Sequence, residues 1–117
     1  MNVAQPLVQA SLLGEAIDAG PALVFVADEH MRYVAVNETA CATLGYGREE
    51  LLGMCVADVA ASEDTSEQYA KMVAEGALSG RSALRRKDGS TVEIEYRAAE
   101  VTVAQLTFYV SIAFPVG

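Results

Sequence analysis

The stretch Asn37 to Gly53, NETACATLGYGREELLG, constrains the fold of this chain more than any other. Asn37 has the side chain of a helix N-cap, and Ala40, Cys41 and Leu44 recur at the spacing of one inward helical face. Gly45-Tyr46-Gly47 breaks the run before Arg48-Glu49-Glu50-Leu51-Leu52 restarts it, and Gly53 ends it. Two helices this short bury too little to stand alone. They need a sheet to lie on, and β-rich segments flank them on both sides.

Upstream, Leu7, Val8, Leu12, Leu13, Ala16 and Ile17 recur every three or four residues. This predicts an amphipathic helix over Pro6 to Ala19, ended by Gly20-Pro21. Residues 1–20 are therefore read as an N-terminal cap or dimerisation helix, and residues 21–117 as one domain. Leu23 to Asp28 and Arg32 to Val36 read as strands joined by a turn at Glu29-His30-Met31. Met54 to Ala61 reads as irregular or a single helical turn. Asp64-Thr65-Ser66-Glu67 has the form of a capping box opening a longer helix to about Leu78, with Tyr69, Met72, Val73 and Ala77 on one face. Three strands are expected after it, Arg81 to Arg86, Thr91 to about Glu100, and Leu106 to Phe114, with Asp88-Gly89 as the hairpin turn. Strands and helices in this order suit an α+β domain, an antiparallel sheet with helices on one face.

A formal net charge of −8, with no basic run beyond Arg85-Arg86-Lys87, argues against a direct nucleic-acid partner. No apolar run reaches membrane-spanning length and no signal-type block opens the chain, so no membrane insertion and a cytoplasmic location are expected. Cys41 and Cys55 read as reduced, buried thiols, and with one histidine they make too few ligands for a metal site. His30 has no serine or cysteine near it in sequence. Glu93 and Glu95 share a strand face that should be solvated. No catalytic residues are expected, and the chain is not read as an enzyme.

The Asn37 segment, with its Leu-Gly-Tyr and Arg-Glu-Glu-Leu-Leu-Gly, resembles the central helices of PAS sensory domains. Val26-Ala27-Asp28 ahead of it and the Arg85 to Ser90 hairpin behind it support the resemblance, which runs from Ala19 to Phe114. The turn at Glu29-His30-Met31 departs from the family, lacking the Asp-Gly that PAS chains often carry there. The resemblance implies a five-stranded antiparallel sheet in the order 2-1-5-4-3. In that order Phe25, Ala27, Ile94, Tyr96, Tyr109 and Ser111 would face the helices. With Leu44, Met54, Val56 and Met72 they are the candidate walls of a pocket for a small apolar or aromatic molecule. Val24, Val26, Phe108, Val110 and Ile112 would form an apolar outer strip. The N-terminal helix, through Leu12, Leu13 and Ile17, would cover it, either on its own sheet or on a second copy in a homodimer.

The resemblance also orders the cofactors, none of which the sequence names. Haem-binding members usually ligate iron with a histidine on the long helix, which here has none. Light-sensing flavin members place a reactive cysteine where Val56 stands, and Cys55 falls one residue early. Haem and flavin are thus demoted in favour of a small organic ligand. The implied function is a sensory module of a signal-transduction or transcription-regulatory protein, such as a histidine kinase, relaying ligand binding through dimer contacts to an output domain or partner protein. The alternative is a ligand-free module for dimerisation or docking, and a flavin-based light or redox sensor is a distant third. Asp-Ile-Thr, a common end to the last strand before an output module, is replaced by Ala113-Phe114-Pro115. The sequence therefore reads either as a piece of a longer protein or as a domain acting alone. Asn37 is expected to cap Thr39 or Ala40, and Asp28 to tie the first hairpin turn.

Overall fold

The computed structural model of the chain describes residues 5–61 and 65–116. Its elements run α1 (Pro6–Asp18), β1 (Leu23–Ala27), β2 (Tyr33–Val36), α2 (Glu38–Leu44), α3 (Arg48–Leu51), α4 (Val56–Val59), α5 (Thr65–Glu75), β3 (Ala77–Arg85), β4 (Thr91–Val103) and β5 (Leu106–Pro115). The five strands form one antiparallel sheet in the order β2-β1-β5-β4-β3. The sheet order expected from the sequence holds. Alternation along β1 buries Leu23, Phe25 and Ala27 on the helix side, and β4 and β5 bury Ile94, Ala98, Tyr109 and Ala113 on the same side.

The central segment folds as its glycines dictate. Asn37 Oδ1 accepts the Ala40 N–H at 3.0 Å and opens α2. Gly45, at φ +80°, closes it in the left-handed conformation. The Glu50 carboxylate accepts the Gly47 N–H at 3.0 Å and so starts α3. The basic run after β3 is structural. Arg86 Nε donates to the Thr43 carbonyl, Lys87 N to that of Leu44, and Lys87 Nζ pairs with Glu50, so the hairpin is tied to the ends of α2 and α3.

Three expectations are corrected. The long helix stops at Glu75, because Gly76 takes φ +73° and turns the chain into β3 at Ala77 rather than Arg81. β4 continues past Glu100 to Val103, paired with β5 through a two-residue turn, Ala104-Gln105, with both φ positive. The first alternative for α1 fails as well. No side chain of α1 is buried, so it does not seal its own sheet. Asp64 of the expected capping box and the side chains of Tyr69 and Val73 lie outside the described residues. Among the described residues no helix is long and apolar enough to cross a membrane.

Candidate functional site

Between the sheet and helices α4 and α5 lies a cavity of about 280 Å³. Its floor is Phe25, Ala27, Ile94, Tyr96, Ala98, Tyr109 and Ser111 from the three central strands, with Leu78, Ser82 and Leu84 from β3. Val56, Ala57 and Ala60 from the α4 region and Met72 from α5 close it above, and Met31 and Tyr33 from the first hairpin close one side. The cavity sits between two apolar clusters. The larger is built on Leu23, Phe25, Tyr33, Leu44, Leu51, Val59 and Ile94, and the smaller on Met72, Ala98 and Tyr109. Tyr96 packs against both.

Among the described residues, no charged side chain lines the cavity. The polar residues among those that line it are Tyr33, Tyr96, Tyr109, Ser82 and Ser111, all bearing hydroxyls. Burial, reinforced by the Asp58 carboxylate and Cys55, pushes the Tyr33 hydroxyl well above its ordinary range, so it stays a neutral donor. The Phe25 and Tyr33 rings lie 5.4 Å apart, tilted by 37°, and brace this side.

Of the side chains expected at a pocket, Phe25, Ala27, Val56, Met72, Ile94, Tyr96, Tyr109 and Ser111 line the cavity. Leu44 and Met54 do not. Leu44 is fully buried where α2 packs directly on β1, which leaves no space beneath it. Met54 is half-buried against the larger cluster, and its carbonyl accepts the Tyr33 N–H at 3.1 Å. Val110, assigned by alternation to the outer face, borders the cavity as well.

Met31, Tyr33, Ala57, Ala60, Leu78, Ser82 and Leu84 were not anticipated. Leu78, Ser82 and Leu84 share one face of β3 by alternation; starting the strand at Arg81 leaves out Leu78, whereas Ser82 and Leu84 lie inside the expected strand and could have been read as inward. Met31 carries no such signal, because its inward position follows from a positive φ of 60° that no side-chain pattern announces. Neither thiol lines the cavity. Burial raises the Cys41 thiol, and Cys55 N donates to Asp58 Oδ2 at 2.8 Å at the start of α4.

On the other face of the sheet, Ile112 and Phe114 are largely exposed, as are Val103 and Leu106 at the β4–β5 turn. Val24, Val26, Phe108 and Val110 are half-buried beside them. Leu12, Leu13 and Ile17 of α1 are at least half exposed, and Leu7 is 83% exposed. Among the described residues, two exposed apolar surfaces thus belong to the same chain.

A sequence profile described as PAS fold matches residues 17–104. Among solved structures, a PAS domain from a two-component sensor histidine kinase superposes with a TM-score of 0.84 at 16% identity, covering 96% of this chain and 100% of that one. The PAS domain of an HTR-like protein from Haloarcula marismortui gives 0.83 at 21% identity, with 92% of each chain covered. A domain of a sensory box sensor histidine kinase/response regulator from Geobacter sulfurreducens gives 0.79 at 18%, covering 97% of this chain and 99% of that one. No curated protein sequence matches the chain. These structural likenesses lie at identities where only the fold carries over, whereas the profile match spans most of the sequence and takes in β1 to β4. The chain belongs to the PAS-fold family.

Proposed function

We propose that this chain is a non-catalytic sensory domain that holds a small, neutral, mainly apolar molecule between α4, α5 and the sheet and relays its presence through a homodimer to an output module. The cavity carries this reading. At about 280 Å³ it is nearly twice the size of an engineered apolar cavity that admits benzene, which suits a bicyclic or alkyl-substituted aromatic ring. The described lining offers no charged side chain, which disfavours a carboxylate or ammonium ligand, because a buried charge needs a partner. Hydroxyls on neighbouring strands would orient one polar group of the ligand.

The relay rests on the second observation, the exposed apolar residues of α1 and the outer strip. A second copy would cover both at once, its α1 lying on this sheet. Ligand binding would favour one packing of sheet and helices, and so one dimer geometry, by population shift. The histidine kinases among the structural neighbours make a kinase an apt output module. Native mass spectrometry of freshly purified protein tests the reading. A small added mass, lost on denaturation and absent from a cavity-filling Ala98→Leu variant, is expected. A bare mass for the unaltered chain would point to the ligand-free interaction module.

A further inference from the structure

Met31 occupies a backbone conformation suited to a different residue. Its φ is +60°, in the left-handed region that glycine enters freely and that a longer side chain adopts only when its surroundings compel it. Here they do. Met31 N donates to the Asp28 carbonyl at 3.0 Å, and the Asp28 carboxylate accepts the N–H groups of His30 and Arg32 on either side, at 2.8 and 3.1 Å. The Met31 carbonyl accepts the Val56 N–H at 2.8 Å, which ties the turn to the start of α4. The root of the side chain is therefore fixed, while the thioether, with three rotatable bonds, lies against the Met72, Ala98 and Tyr109 cluster and lines the cavity.

We infer that Met31 sets the size of the ligand that the cavity accepts, acting as an adjustable stop packed against the Met72 cluster and mounted on a rigid turn. A turn alone would be served better by glycine. A methionine held there against its backbone preference is explained by what its side chain does inside. This deepens the ligand-site reading and rests on it.

The test uses a homologous series of neutral 4-alkylphenols, from ethyl to octyl, titrated calorimetrically into the unaltered chain, Met31→Gly and Met31→Leu. Glycine keeps the turn and removes the stop, so the variant is expected to fold, and a native-like amide NMR spectrum checks this. Each further methylene buried is worth roughly fourfold in affinity. Met31→Gly should therefore raise the octyl-to-ethyl affinity ratio at least tenfold, while Met31→Leu, of similar volume, keeps the original preference. An unchanged ratio in Met31→Gly overturns the role given to Met31 and leaves the ligand site standing. If no phenol binds either the unaltered chain or Met31→Gly, the ligand site falls and this inference with it.

Discussion

Asn37 uses every hydrogen-bonding position of its amide. Oδ1 accepts from Val24 N at 2.9 Å and Ala40 N at 3.0 Å, and Nδ2 donates to the carbonyls of Ile17 and Ala22, both at 2.8 Å. The expected cap is present, but it is one of four bonds that join the end of α1, the start of β1 and the start of α2. Thr39 Oγ1 donates to the Gly20 carbonyl, and the Arg48 guanidinium pairs with Asp18, so the same junction is closed from two more sides. Removing the amide strands the buried Ala40 N–H at about 1–3 kcal/mol and leaves three half-buried groups that water can partly satisfy. Asn37→Ala should therefore cost about 3 kcal/mol in a urea titration, well beyond the ~1 kcal/mol of a lost helix cap. A loss of 1 kcal/mol or less would show that the junction tolerates the gap. The cap was legible in the sequence because it spans three residues. The bonds to Ile17 and Ala22 were not, because they join segments that only the folded sheet brings together.

At the scale of elements, the sequence showed where strands lie better than where they stop. Ala77 falls four residues after Val73 and five after Met72, so the apolar spacing of α5 runs on through Gly76 as though the helix continued. The left-handed glycine ends it, and Ala77 and Leu78, the first two residues of β3, looked helical for that reason. The β4–β5 turn escaped notice for the opposite reason. Ala104 and Gln105 take φ values of +51° and +68°, a geometry that Asn-Gly adopts readily and that these residues adopt at a cost. Ala104→Asn combined with Gln105→Gly should stabilise the domain by about 1 kcal/mol, seen as a higher thermal midpoint. A lower midpoint would mean that the two native side chains make contacts worth more than the strain. The cavity was legible to the extent that strand alternation determines it. β1, β4 and β5 supplied walls correctly. Leu44 was misplaced because alternation and helix period say which face a residue is on, and not whether space lies beyond it.

At the scale of the whole molecule, the chain presents a helix-covered inner face with a partly open cavity and an outer face with exposed apolar residues. Arg97 stands on that outer face, opposite Ile112 and Ser79 on the neighbouring strands, and has no acidic partner among the described residues. Glu15 lies on α1, three residues from Leu12 and two from Ile17, exposed like them. In the proposed dimer these two charges would meet across the interface. Arg97→Glu should weaken the dimer at least fivefold in sedimentation equilibrium, and adding Glu15→Arg should restore it. Dimer affinity unmoved by either change would place the interface elsewhere.

The central claim is that the space between helices and sheet is a binding site. It is tested most directly by methyl NMR of the isoleucine-, leucine- and valine-labelled chain during titration with a 4-alkylphenol. Saturable shifts are predicted at Val56, Leu84 and Ile94, which line the cavity, ahead of any change at Val24, Val26 or Ile112 on the outer face. Shifts confined to the outer face, or none that saturate, would contradict it.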